Sequence, residues 1–499
     1  MMFHGKQVAI PEKVSAPHRT HSSVERFADR LTGWTIYGMI VFSPWAFGTT
    51  QPWAIEAMNW DGYLLGALLL FKWIARGIKQ NKTSNRDHLV ANLSPNAVSP
   101  REKIFPVCLA MATVGILLYC LIAAANARAN FSYFSASFSY HDYIPWLPHS
   151  YDASRSWDIF WNYLALAFSF WAVRDWLQNE DFFVAGSGNP LFSRRWKKLL
   201  WVVCLNGALL AIEGLVQRAD NTGKLLWLVE PRIHKSAESQ FGPYAYRSNG
   251  AQFLNLIWPV ALGFWWYLQR ASERSEQRQT GHHLLLPAAL IMAAAAIVSL
   301  SRGGILGAVG QILVSLLILL FSTRRGGWKI KFGLISIGVA TVALAAYVNW
   351  GDLTKRFQTI ATDQLSGRVR LYQIAGRIFR DHALFGTGPN TFDPVSMLYL
   401  ETPDAIWTVQ AHNDWLETLA TFGIVGSLLI WLALGLALAR PLLVTTGIPQ
   451  RPIFLAFLWV SLGGCLVHGA FDFPFQIYSI LFLFLVLCAL LSVISIRKN

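Results

Sequence analysis

Charge is scarce in this sequence. Only 14% of the 499 residues are Asp, Glu, Lys or Arg, against about 25% in an ordinary soluble domain. That shortage, with 54% apolar residues, excludes a disordered chain and an ordinary soluble enzyme. Cysteine is rare too. All five, Cys108, Cys120, Cys204, Cys465 and Cys488, fall inside apolar runs and none forms a CxxC pair. A disulfide framework and a cysteine zinc site are therefore not expected. The first 30 residues lack an apolar stretch. No cleavable signal peptide is expected, and the first apolar segment should direct insertion itself. No internal repeat is visible.

What is present is hydrocarbon. Several runs reach the ~20 apolar residues that cross a bilayer, and the 22 Trp and 15 Tyr suit a protein with two membrane–water interfaces. The sequence predicts an all-α polytopic membrane protein with about twelve spans. They cover 31–50, 57–76, 104–125, 157–176, 198–217, 251–268, 284–301, 304–321, 332–348, 415–438, 453–470 and 475–495. The stretch 284–321 is too long for one span. As a single helix it would reach about 57 Å at ~1.5 Å per residue, nearly twice the ~30 Å hydrocarbon core. It must fold back, and its break is Ser301-Arg302-Gly303-Gly304. The expected organisation is a tail at 1–30, nine spans over 31–348, a large outside loop at 349–414 and three spans over 415–499.

Charge counting orients this topology. With both termini cytoplasmic, the cytoplasmic side holds 28 of the 42 Lys and Arg and 10 of the 28 Asp and Glu. The other side holds 14 and 17, and Glu213 lies within the fifth span. This is the positive-inside pattern. The net charge of +14 is thus mostly topology and implies no nucleic-acid partner.

Arginine on the outer side is the main chemical signal. Residues 365–380 carry Arg368, Arg370, Arg377 and Arg380 without an acid. On a helix Arg370 and Arg377 share a face, beside an apolar stripe of Leu371, Ile374, Ala375 and Ile378. Such a helix lies on the membrane or on the bundle. Its arginines either touch lipid headgroups or bind a phosphorylated ligand, for which the planar guanidinium fork is suited. Arg302 sits in a turn between two apolar spans. A charge there is either an interfacial anchor or a functional residue. Arg247 ends another outside loop and carries the same two readings.

His412, in Ala411-His412-Asn413-Asp414, lies where the large loop re-enters the membrane. An imidazole there can serve as a general base. Asp414 and Glu417 are near enough in sequence to orient it. Structural capping and metal binding are the other readings, though no second histidine cluster completes a ligand set. His468 and Asp472 occupy a short outside turn and could complete the same cavity or simply cap it.

Three stretches resemble the O-antigen ligase family, related to polymerases of lipid-linked polysaccharides. They are Leu300-Ser301-Arg302-Gly303-Gly304; Ser366-Gly367-Arg368 with Gly386-Thr387-Gly388-Pro389-Asn390-Thr391-Phe392; and His412-Asn413 through Gly423-Ile424-Val425-Gly426. The resemblance implies a GT-C-like helical fold in the bacterial inner membrane with a periplasmic active site. It implies transfer of a glycan from an undecaprenyl-diphosphate carrier to an acceptor hydroxyl, with inversion and without metal or other cofactor. The acceptor would be lipid A core for a ligase or a growing glycan for a polymerase. It places Arg302, Arg368 and His412 as the catalytic positions. Arg247, Arg370, Arg377, Asn413 and Asp414 are the further candidates for substrate contact. The competing reading is a transporter or flippase for lipid-linked glycans, which would need charges at several mid-span positions; Glu213 stands almost alone there.

Overall fold

The computed structural model describes residues 23–84, 100–178, 193–233, 235–273, 280–321, scattered positions from 336 to 358, 365–400, 410–443 and 451–493. The expected ninth span, 332–348, lies largely outside the described residues, as do most of the tail and parts of the 349–414 loop.

Every other expected span falls on a helix. They are α1 (Ser23–Trp45), α2 (Pro52–Ser84), α3 (Pro100–Ala125), α4 (Ala153–Gln178), α5 (Arg194–Asp220), α6 (Arg247–Ser272), α7 (Leu285–Val298), α8 (Arg302–Phe321), α11 (Asp414–Leu443), α12 (Arg451–His468) and α13 (Tyr478–Val493). The large loop adds α9 (Leu365–Asp381) and the short α10 (Phe392–Ser396). Among the described residues, five helices are long and apolar enough to cross a membrane, and α12 and α13 are shorter apolar helices. The chain is an all-α membrane protein in outline, with one small exception among the described residues. Strands β1 (Ala129–Ser132) and β2 (Ser137–Tyr140) pair as an antiparallel hairpin.

Helix α6 is the hub. It is buried nearly all round, from Ser248 to Tyr267, and packs on α7, α8 and α12. A helix apolar on every side belongs inside a bundle. The fold-back between α7 and α8 occurs where Leu300 adopts φ 58°. Ser301 then caps α8, its Oγ accepting from Gly304 N at 3.1 Å.

Helix α11 is broken at Gly423 (φ 59°, ψ −167°). The break frees carbonyl groups, and the segment after α9 takes them up. Thr387 N donates to Ala420 O (3.1 Å) and Gly388 N to Thr421 O (2.9 Å), while Ile424 N donates to Ala383 O (2.8 Å). Tyr119 OH donates to both Phe385 O (2.5 Å) and Phe422 O (2.9 Å). Backbone polar groups at this depth are tolerated where protein satisfies them. The Gly-Thr-Gly and Gly-Ile-Val-Gly stretches are thus partners in one interlock.

Helix α9 turns its apolar stripe inward. Ile374, Ala375 and Ile378 are buried in a cluster with Tyr151, Phe392, Val395, Ala411 and Ala420. That face rests on protein, with α9 packed on α11.

Candidate functional site

The short turn between α12 and α13 organises the site. Asp472 N donates to His468 O at 3.0 Å, so the Asp472 carboxylate is carried inward, 4% exposed. Two elements meet it directly, and two more reach its neighbours. From the end of the large loop, His412 Nδ1 lies 3.1 Å from Asp472 Oδ1. From the start of α6, Ser248 Oγ donates to Asp472 Oδ2 at 2.5 Å, and Tyr246 OH approaches the same oxygen at 3.5 Å. From the α7–α8 turn, Ser301 Oγ donates to Ser248 Oγ at 3.1 Å. From α9, Arg368 Nη1 donates to Phe471 O at 2.8 Å.

His412 is held in one pose. Its φ is 52°, an uncommon conformation for a side-chain-bearing residue and one found at functional sites. Tyr372 OH donates to its carbonyl at 3.0 Å. The Phe473 ring meets the imidazole edge-on at 4.9 Å, and Tyr246 stacks on Phe473 at 5.6 Å. With Nδ1 engaged by Asp472, Nε2 is the nitrogen left to act on a substrate. His468 is buried behind, its Nε2 3.8 Å from Asp472 Oδ2 and 3.3 Å from Ser248 Oγ.

Burial pushes the Asp472 carboxyl up, but hydrogen bonds from His412 and His468 and their charges outweigh it and hold the group well below the usual carboxylate range. Burial, and next the Asp472 charge, push the Tyr246 phenol up, so it stays a neutral donor.

Arg302 is the first residue of α8. Its neighbours touch the cluster on both sides, Ser301 through Ser248 and Gly303 against His468. A Cβ on Gly303 would lie 2.9 Å from His468 Cε1, so only glycine permits this approach. Arg302, Arg368 and His412 therefore gather around one turn. The remaining candidates divide. Arg247 donates to Glu238 O at 2.6 Å, closing its own loop. Arg370 and Arg377 lie half-buried on α9. Asn413 Oδ1 accepts from Trp415 N and Leu416 N, both at 3.1 Å, capping α11. Asp414 accepts from Phe475 N at 2.9 Å, and Glu417 from Ala411 N at 2.7 Å. Neither of those two acids is the partner of the His412 ring in this structure. That partner is Asp472, because α11 begins at Asp414 and carries both carboxylates toward backbone amides.

Ser248, Tyr246 and Ser301 were not singled out by sequence reasoning, although each flanks an arginine that was. Among the described residues, no group of three or more His, Cys, Asp or Glu is arranged to hold a metal ion.

Residues 287–431 match the family model described as O-antigen ligase, which bears out the resemblance seen in 300–426. The matched interval contains Arg302, Arg368 and His412 and stops short of Asp472 and Ser248. No curated protein matches the chain.

Proposed function

We propose that this protein is a membrane glycosyltransferase. It moves a glycan from an undecaprenyl-diphosphate carrier to an acceptor hydroxyl on the periplasmic face, as an O-antigen ligase or a polysaccharide polymerase does. The pairing of His412 Nδ1 with the buried Asp472 carboxylate, at 3.1 Å, carries this reading. It is the arrangement of an oriented general base.

His412 Nε2 takes the proton of the acceptor hydroxyl as that oxygen attacks the anomeric carbon. The bond from that carbon to the carrier phosphate breaks on the opposite face, with inversion. The electron pair leaves with the diphosphate. Asp472 keeps the imidazole oriented and stabilises its charged form. Arg302 and Arg368 offset the growing negative charge, which fixed cations do well where water is excluded. Helices α6, α8 and α11 all begin at this end of the bundle, so their positive dipole ends add to the same potential. With arginines in that role no metal is required.

The test is a reconstituted membrane supplied with purified lipid-linked repeat units, with and without lipid A core. Transfer to core marks a ligase and chain growth marks a polymerase. Absence of both products would overturn the reading. EDTA should leave the rate intact; loss restored by Mg²⁺ or Mn²⁺ would overturn metal independence.

A further inference from the structure

A second feature lies where α5 ends. Helix α5 is among the helices long and apolar enough to cross a membrane. Leu205, Leu209, Ile212 and Val216 stand exposed along it, spaced to share one face. Val203, Gly207, Leu210 and Gly214 are buried on the opposite face. In a spanning helix the exposed apolar stripe is the face that meets lipid. Asp220 continues that stripe one turn beyond Val216.

The chain folds back at once after α5. Gln217 Nε2 donates to Lys224 O at 3.0 Å, and Trp227 Nε1 donates to Asp220 Oδ2 at 2.7 Å. The segment 224–229 is thereby held at the level of the helix's last turn. Leu225 N donates to Val229 O at 2.8 Å and Leu228 N to Leu225 O at 2.9 Å, closing a tight turn. Within it Leu226 and Trp227 hold φ 49° and 60°, a left-handed conformation that bulky side chains rarely adopt. Such strain persists where the surroundings fix it and a function uses it. Leu225 is buried, whereas Trp227, Leu228 and Val229 are exposed, Leu228 at 76%. Trp227 stands at the top of the lipid-facing stripe, because its partner Asp220 lies on that stripe. A Trp at this level suits the membrane–water interface. Lys224 and Arg232 are exposed beside the turn, where phosphate headgroups attract basic side chains. Glu230 is taken up by Lys235 at 3.8 Å.

We propose that the 225–229 turn inserts Trp227, Leu228 and Val229 into the phospholipid leaflet on the His412 side, as an interfacial anchor. The anchored loop is the one that ends in Tyr246 and Ser248 at Asp472. Arg218 ties it to the α7–α8 turn by donating to Ala237 O (3.2 Å) and Ser299 O (2.8 Å). Leaflet contact thus holds that loop at a fixed depth. Insertion is independent of the transfer reaction.

Leu228→Cys tests it, made in the full chain, labelled with an NBD fluorophore and placed in nanodiscs of phosphatidylcholine and phosphatidylglycerol. Native protein carried through the same labelling gives the background. The label should lose most of its emission to lipid carrying a nitroxide high on the acyl chain, less to lipid carrying it at the chain end, and little to aqueous iodide. Val229→Cys, also at an exposed position, gives the same reading if Leu228→Cys does not fold. Iodide quenching without nitroxide quenching would place the turn in water and overturn the proposal. So would protection from both quenchers, which marks a cover of protein, either a second copy or another segment of this chain. Quenching strongest from the chain end would place the turn deep in the bilayer and overturn the interfacial anchor.

Discussion

His412 Nδ1 meets Asp472 Oδ1 at 3.1 Å across 60 residues of chain. The histidine is partly exposed and the aspartate buried, at 28% and 5% of their side chains. That asymmetry is what an acid–base pair needs. The carboxylate stays dry and fixed, and the imidazole keeps one edge open.

Substituting the two members should separate orientation from proton transfer. His412→Ala should retain donor binding and lose turnover by about 10²–10⁴-fold. Asp472→Asn should also lose turnover with donor affinity nearly unchanged, because the amide no longer fixes the imidazole tautomer. Donor binding and transfer rate in one preparation make the comparison. If His412→Ala abolishes donor binding while the rate per bound donor is unchanged, His412 is a ligand contact. Stability should carry a pH signature as well. Asp472 is held below its ordinary range, so its contribution is present above the unfolded value of ~3.9 and fades as pH falls below it. Asp472→Asn should flatten that acid limb in thermal melts.

Arg302 and Arg368 should fail in another way. Both ground and transition states carry negative phosphate, so Arg302→Ala should lose donor affinity together with rate. One charge-assisted contact in a dry site is worth about 1.5–3 kcal/mol, or roughly 10- to 100-fold. Arg302→Lys should recover only part, since a point charge cannot reproduce the fork. Arg368 has a second task, its bond to Phe471 O. Arg368→Ala should therefore also loosen the turn that carries Asp472, seen as a melting temperature below that of the unsubstituted protein. Unchanged melting of Arg368→Ala would count against that bond.

The helices were legible in the sequence because hydrocarbon runs of bilayer length have one common outcome, and the fold-back at Ser301-Arg302 followed from length alone. The amphipathic stripe of α9 was legible too, although not that Ile374 and Ile378 would rest on protein. The partner of His412 was harder to see. Asp414 and Glu417 are near in sequence but face backbone amides, whereas Asp472 arrives from a different turn. The break at Gly423 sits inside the span expected at 415–438, with nothing in its spacing to mark it. Only the amides of Thr387 and Gly388, brought alongside by α9, explain why the helix opens there.

That interlock predicts a sharp cost. Gly423 and Gly386 both hold left-handed φ, 59° and 63°, which costs a side-chain-bearing residue roughly 1–2 kcal/mol. A Cβ on Gly423 would also come within 2.5 Å of Gly386 N and Leu384 O. Gly423→Ala should lower the melting temperature of the detergent-solubilised protein clearly, whereas Gly435→Ala, with open space around it, should change it little. Similar melting of the two variants would contradict the interlock.

The orientation of the bundle can be tested at the hairpin. In the proposed orientation, which follows the bias of Lys and Arg, the 126–156 segment is outside, with the His412 site on the same face. The hairpin packs toward that face, since Tyr133 OH donates to Asp393 Oδ2 at 2.9 Å. Ser135 is exposed at its tip. The native cysteines are poor competitors for a reagent, as Cys120, Cys204, Cys465 and Cys488 are buried and Cys108 is half-buried. Ser135→Cys should thus be modified by a membrane-impermeant thiol reagent in intact spheroplasts. Native protein treated alongside gives the background from Cys108. Protection in intact cells with labelling only after lysis would reverse the topology. It would place His412 on the cytoplasmic side, out of reach of a periplasmic donor, and the proposed reaction would fall with it.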